Sequence, residues 1–205
     1  MNPVVRIDMR SMTRGLDDVA RKQAPYAMAR ALTDSAQAAR VAVSRDLPRV
    51  FEKPTPFTRN AVTIKAARKT DLTARVFVKT KQAEYLAIQE TGGTRTPRKR
   101  ALVLPAAIQR DQYGNIPRGG VRRVSNRKDT FSGVVGGVGG IWQRRPVPKG
   151  SGEKAGRPRL LVAFKQVAKY RPRFGFQRKV VRTAQAVMVP AFRQRLAEAM
   201  RTRRG

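Results

Sequence analysis

The pattern of apolar and polar residues is helical near both ends of the chain. In the first of these regions, apolar and small side chains recur at steps of three and four residues, as on one face of an α-helix. Proline is tolerated in the first turn of a helix but not in its interior, so Pro25 and Pro48 bound a predicted main helix over 25–46. The same spacing near the C-terminus predicts a final helix over 177–203, kinked or divided at Pro190.

The residues between these helices alternate in the way that is typical of strands. Apolar and polar side chains alternate over 57–67 and over 71–80, with a short polar turn between them, which predicts a β-hairpin. A short helix is predicted over 82–90, where two glycines end it. The nearly continuous apolar run within 159–168 predicts a central strand, and residues 1–12 predict a short strand or arm.

This order of elements predicts an α+β fold. The long N-terminal helix and the kinked C-terminal helix are expected to pack on a small antiparallel sheet within one domain, residues 1–205. Residues 109–158 are rich in Gly, Pro, Arg and Lys and show little periodicity. They predict an extended basic insertion, a loop excursion that is ordered only when something holds it.

Charge changes the picture more than any other feature of the composition. The 205 residues include 45 Lys and Arg against 13 Asp and Glu, for a formal net charge of +32. Residues 91–205 hold 28 of the basic residues and only four acids, so the excess is concentrated in the C-terminal half. A compact chain with this charge repels itself, and a phosphate backbone is the obvious compensating partner.

Several kinds of chemistry are excluded by the residues that are missing. The chain has no cysteine and no histidine, so disulfides, Cys/His metal sites and histidine general bases cannot form. The few carboxylates are scattered, and no lysine followed by Ser or Thr comes after the glycine run 133–140, which predicts a flexible or tightly turning loop instead of a nucleotide-binding loop. We therefore expect a protein that is not an enzyme and has no cofactor.

Targeting signals are also missing from the sequence. No stretch approaches the roughly 20 apolar residues of a membrane span, and the first residues lack the apolar core of a secretory signal. We expect no membrane partner, and a protein that is made and used in the cytoplasm or in a particle assembled there.

Basic clusters are the best candidates for binding. Most contain more Arg than Lys, which suits bidentate contact with phosphate, and no sequence-reading motif accompanies them. Contact with nucleic acid is therefore expected to be to phosphate and not sequence-specific. The candidates for nucleic-acid or partner binding are Arg95, Arg98, Lys99, Arg100, Arg122, Arg123, Arg127, Lys128, Arg144, Arg145, Lys149, Arg171 and Arg173. Aromatic residues within 170–176 either stack on bases or anchor loops, and anchoring is favoured because stacking platforms usually lie on ordered sheets or grooves.

The two terminal helices offer candidates for contact between subunits. Small residues dominate one face of the first helix, so a partner could pack closely against it. The candidates for subunit contact are Ala27, Ala31, Ser35, Ala38, Phe192 and Leu196.

Four segments together resemble a known family. The run APYAMARALTDSAQAA, residues 24–39, resembles the first long helix of the lambda-type minor tail protein Z family, the tail-completion proteins of long-tailed bacteriophages. Residues 187–196, VMVPAFRQRL, are similar to the last helix of that family, proline included. Residues 83–94 and 101–106 are similar to the Tyr…Glu-x-Gly-Thr and Leu-x-Pro-Ala segments of related small neck proteins. The resemblance does not extend to 109–158.

The resemblance implies a virion structural protein without enzymatic activity at the head-proximal end of the tail, the neck or head–tail junction. Its expected partners are further copies of itself in a ring, the tail terminator and other neck or tail proteins, and phage DNA. A closed ring is the default for repeated head-to-tail contacts, because open ones grow without limit. A non-specific nucleic-acid-binding architectural or ribosomal-type protein is the alternative, which accounts for the charge but not for the resemblance.

Overall fold

The computed structural model describes residues 4–7, 18–97, 100–145 and 156–201, and side chains from residue 23 onward. The chain divides into two compact units. One comprises Met1–Gly92 and Arg171–Gly205, here called the terminal unit, and the other comprises Gly93–Tyr170, here called the middle unit. The predicted α+β class is confirmed, whereas the observed middle unit is wider than the predicted insertion.

Helices and short antiparallel strands make up both units. In chain order they are β1 (Val4–Ile7), α1 (Asp18–Val50), α2 (Pro56–Arg59), β2 (Val62–Lys65), β3 (Ala74–Val78), α3 (Thr80–Thr91), β4 (Gly93–Arg95), β5 (Leu102–Pro105), α4 (Gly120–Ser125), β6 (Thr130–Val135), β7 (Val138–Gln143), β8 (Arg159–Lys165), β9 (Ala168–Tyr170) and α5 (Phe176–Arg201). Within the described ranges, no helix is both long and apolar enough to cross a membrane.

The terminal unit contains a three-stranded antiparallel sheet in the order β1-β3-β2. Ala74, Val76 and Val78 alternate along the central strand β3 and are completely buried. They belong to the same apolar core as residues of α1 and α5. The predicted hairpin is therefore present as β2 and β3, and its apolar face forms part of the core.

Helix α1 is longer than predicted, because neither proline ends it. It continues through Pro25 and Pro48 to Val50, and the backbone N–H of Phe51 still donates to the carbonyl of Leu47, at 2.9 Å. A proline removes one helical hydrogen bond, but buried residues next to both prolines hold the helix in place by packing. Helix α5 likewise runs through Pro190 without division.

The start of the predicted strand 57–67 is a helical turn. The Thr55 side chain accepts a hydrogen bond from the backbone N–H of Thr58, at 3.2 Å, and Pro56 occupies the first helical position. A capping threonine followed by proline is a typical start of a helix. The strand begins only at Val62.

The residues predicted for subunit contact lie largely inside the chain. Ala27, Ala31 and Ser35 on α1 are completely buried, and Phe192 on α5 is 6% exposed. The hydroxyl of Ser35 lies 3.4 Å from the sulfur of Met188, so the partner of this small-residue face is α5 of the same chain. These four residues are core, which corrects the prediction. Leu196 is partly buried against the same core and Ala38 is half-buried.

The middle unit contains a four-stranded antiparallel sheet in the order β5-β8-β7-β6 and a separate pair, β4-β9. Strand β8 is central, as its apolar run predicts, and Val162 is completely buried. Strands β6 and β7 form a hairpin whose turn is Gly136-Gly137, with φ of 56° and 75°. Positive φ at both turn positions suits glycine and matches the twist of the strands. The described part of the predicted excursion is thus a helix and a hairpin, because glycines that read as loop residues form the turn.

Candidate nucleic-acid interface

Basic side chains converge at one end of the four-stranded sheet. We call this surface the basic corner, and its residues are Arg122, Arg123, Arg127, Lys128, Arg144, Arg145 and Arg159. All seven are exposed. They come from α4, from the turn after it, from the end of β7 and from the start of β8. The sequence predicts the first six as two separate clusters and misses Arg159, which gives no signal beyond a basic residue that begins an apolar strand.

Hydrogen bonds hold the two predicted clusters together. The carbonyl of Asp129 accepts from the backbone N–H of Arg144 at 2.8 Å, and a carboxylate oxygen of Asp129 accepts from the Gln143 amide at 2.8 Å. The Thr130 hydroxyl donates to the carbonyl of Val124 at 2.6 Å, which fixes the end of α4 to β6. Gln143 lies opposite both Thr130 and Arg159 in the sheet. The hairpin therefore brings together residues that are far apart in sequence.

Asp129 orients one guanidinium of the basic corner. Nε of Arg127 donates to Oδ1 of Asp129 at 2.9 Å, and Nη2 donates to Oδ2 at 2.5 Å. This bidentate pair raises the pKa of Arg127, and the hydrogen bond from Arg127 is the main cause that lowers the pKa of Asp129. Both side chains are more than 40% exposed, so the pair fixes a direction without adding much stability.

Arg144 is held in a similar way by contacts other than an acid. Its guanidinium carbon lies 4.9 Å from the centre of the Phe131 ring, and Nη1 donates to the carbonyl of Thr130 at 3.2 Å. A cation over an aromatic face is attracted to the ring and loses freedom there. The aromatic residue thus supports an arginine of the basic corner.

Within the part of the chain that the structure describes, most of the charge in the basic corner has no acidic partner. The middle unit has 18 Lys and Arg and three acids in its sequence. Asp111 accepts backbone N–H groups of Tyr113 and Asn115, at 2.9 and 2.8 Å, and so stabilises a turn. In the parts of this unit that the structure describes, Asp129 alone forms an ion pair, with Arg127. The remaining basic residues of the corner are exposed and form no ion pair with a described acid.

Three of the other predicted basic residues lie on or next to other strands. Arg95 is exposed on β4, Arg100 is exposed before β5, and Arg171 is exposed after β9. Arg98, Lys99 and Lys149 lie outside the described residues.

Arg173 has a structural role that the sequence does not predict. Its guanidinium carbon lies 4.9 Å from the centre of the Phe51 ring, and Nε donates to the Gln89 side chain at 2.7 Å. Phe174 and Phe176 are buried, and the ring centres of Phe51 and Phe174 are 5.8 Å apart. Phe174 and Phe176 therefore anchor this segment, as the sequence predicts, and Arg173 takes part in the anchor.

No group of three or more His, Cys, Asp or Glu side chains that could hold a metal ion occurs among the residues that the structure describes. No protein-family model, no curated protein and no solved structure matches the chain. The relation to tail-completion proteins therefore stays a prediction from the four resembling segments.

Proposed function

We propose that this chain is a non-enzymatic virion structural protein that completes the head-proximal end of a phage tail, with its basic corner next to DNA. In this role it assembles as a ring, next to the tail terminator and other neck or tail proteins. The basic corner contacts DNA phosphates without reading base sequence.

The observation that carries the proposal is the unbalanced charge of the basic corner. Seven exposed basic side chains surround one end of a sheet, and the one acid next to them among the described residues, Asp129, is engaged by Arg127 and Gln143. An arrangement of this kind releases counterions when it meets a phosphate backbone. Arginine forks also match the geometry of phosphate oxygens.

The positions of the resembling segments support the setting in a phage tail. Residues 24–39 lie on α1 and residues 187–196 lie on α5, and these two helices provide much of the core of the terminal unit. The resemblance therefore follows a structural pair and not two unrelated surface patches. A ring needs contact surfaces, and because Ala27, Ala31, Ser35 and Phe192 are buried, those surfaces lie elsewhere on the chain.

A second candidate function rests on the same basic corner. A non-specific nucleic-acid-binding architectural or ribosomal-type protein would use these arginines in the same way, outside a virion. The charge favours both functions equally, whereas the resembling segments favour the first.

Labelling of purified particles of the source phage tests the proposal. Gold-conjugated antibodies against the chain are expected at the head–tail junction, and mass spectrometry of the same particles is expected to detect the protein. A chain that is abundant in infected cells but absent from particles would contradict the virion role and leave the second candidate.

A further inference from the structure

A cleft of about 340 Å³ opens within the basic corner. It lies between α4, the residues that follow β5, and the ends of β7 and β8. This volume is within the range of pockets that bind small organic ligands. The cleft is therefore large enough for more than a bare ion.

The floor of the cleft is apolar and firmly built. Ile108 and Leu161 are 7% and 5% exposed, and Val124 of α4 packs against the same cluster. The backbone N–H of Ile108 donates to the carbonyl of Leu161 at 3.1 Å, which ties the loop after β5 to the sheet. A flat apolar group can therefore pack against this floor without a rearrangement of the protein.

The rim of the cleft carries three arginines: Arg123 from α4, Arg127 from the following turn and Arg159 from β8. Asp129 takes Nε and Nη2 of Arg127, which leaves the remaining N–H groups of that guanidinium free to donate. Arg123 and Arg159 form no ion pair or side-chain hydrogen bond with any other part of the chain that the structure describes. One oriented guanidinium, and two that have no partner among the described residues, thus line the opening.

We propose that this cleft binds one nucleoside phosphate unit, with the phosphate on Arg123, Arg127 and Arg159 and the base or sugar on the apolar floor. The inference rests on the proposed contact between the basic corner and nucleic acid, and it names the place where one unit of the strand is bound. Gln109 and Gln143 line the same cleft, and Nε2 of Gln143 also donates to Asp129. They supply polar partners for a base.

Charge alone does not account for such a cleft. A purely electrostatic surface attracts inorganic phosphate and nucleotides according to their charge. A cleft with an apolar floor prefers the ligand that also buries apolar surface. Adenosine monophosphate is therefore expected to bind more tightly than inorganic phosphate, although both carry a phosphate dianion.

NMR titration of the full chain with adenosine monophosphate tests the proposal. The side-chain amides of Gln109 and Gln143 are expected to shift with saturation, while that of Gln177, which lies on α5 in the other unit, stays unchanged. Inorganic phosphate and a short single-stranded oligonucleotide serve as the other two probes. They distinguish a bare phosphate site, a free-nucleotide site and a site for a unit of a strand.

Two charge-matched double variants locate the binding. Arg123→Gln with Arg159→Gln removes two rim guanidiniums, whereas Arg118→Gln with Arg157→Gln removes two exposed neighbours that lie outside the basic corner and do not line the cleft. The rim variant is expected to bind adenosine monophosphate about tenfold more weakly or worse, since charge-assisted hydrogen bonds are lost. The neighbour variant is expected to stay within about twofold, an effect of net charge alone.

Two outcomes would overturn the proposal that the cleft binds a nucleoside phosphate. One is absence of saturable shifts at Gln109 and Gln143, and the other is equal weakening in both variants. In either case, retained binding of the oligonucleotide to the basic corner would leave the proposed function standing. If the wild-type chain does not bind the oligonucleotide at all, the proposed function itself is contradicted.

Discussion

The terminal unit and the middle unit use their acidic residues differently. In the terminal unit, Asp34 on α1 accepts from Nε of Arg195 on α5 at 2.6 Å, and Asp46 on α1 pairs with Lys179 on α5. Glu90 accepts the backbone N–H groups of Phe176 and Gln177, at 2.8 and 3.1 Å, and so caps the start of α5. Acids in this unit connect its helices.

In the middle unit, the described acids stabilise turns and join strand ends instead of connecting helices. Asp111 closes a turn, and Asp129 orients Arg127 next to it in the sequence. Neither compensates the arginines of α4 or β8. The two units therefore differ in how their charge is balanced. Acids of the terminal unit compensate part of its positive charge, whereas most basic residues in the described part of the middle unit have no acidic partner.

The largest effect is expected from the apolar core of the terminal unit. Phe176 is completely buried, so Phe176→Ala should lower the free energy of unfolding by about 3–5 kcal/mol through lost burial and a cavity. Phe57 is 51% exposed, and Phe57→Ala should change it by only about 0.5 kcal/mol. Urea denaturation measures both. Similar losses in the two variants would mean that α5 does not form the core.

In the middle unit, the substitution expected to destabilise most lies where β7 pairs with β8. A Cβ at Gly140 would lie 2.2 Å from the carbonyl oxygen of Val162, whereas a Cβ at Gly139 would meet nothing closer than 3.9 Å. Gly140→Ala should therefore lower the free energy of unfolding by about 1–3 kcal/mol, because the backbone of β8 must shift to make room for the methyl group. Hydrogen exchange should show faster exchange in β7 and β8, and Gly139→Ala is the control. Unchanged protection in Gly140→Ala would contradict the observed pairing of these strands.

The smallest effect concerns the acids of the terminal unit at low pH. Hydrogen bonds from Arg195 and Gln194 lower the pKa of Glu198 below its ordinary 4.5. A group with a lowered folded-state pKa contributes stability above its unfolded pKa and loses it as the pH falls through the folded pKa. The contribution is therefore full near pH 7 and declines below about pH 4.5.

The variant Glu198→Gln checks this sign. Its melting temperature should lie slightly below that of the wild type near neutral pH, and the gap should close in acid. Glu52→Gln, at an exposed position, is the control for the change in net charge. A gap that widens in acid would contradict the described pairing with Arg195.

Sequence periodicity predicts α1, β3, α3 and α5 of the terminal unit well, because each has a buried face. The small-residue face of α1 is visible in the sequence, but its partner is not, and α5 of the same chain occupies it. The helix ends predicted at Pro25 and Pro48 are wrong, because tertiary packing outweighs the loss of single hydrogen bonds and the helix continues through both prolines. Local pattern thus predicts the elements but not which surfaces remain free.

The basic corner could be predicted only in part. Arg122, Arg123, Arg127 and Lys128 are near one another in the sequence, and so are Arg144 and Arg145. Their convergence depends on the hairpin around Gly136-Gly137, and these glycines read as a loop in isolation. The cleft needs Arg159 from a third segment, and long-range pairing of β7 with β8 provides it.

Binding of double-stranded DNA by two charge-matched triple variants tests the central claim most directly. One replaces Arg122, Arg123 and Arg145 of the basic corner with Gln, and the other replaces the exposed Arg178, Arg182 and Arg193 of α5. We expect the corner variant alone to lose most of its affinity near 0.15 M salt, with a salt slope shallower by about 2 to 3. Equal losses of affinity and slope in both variants would mean that net charge alone binds DNA, which would contradict a dedicated interface in the middle unit.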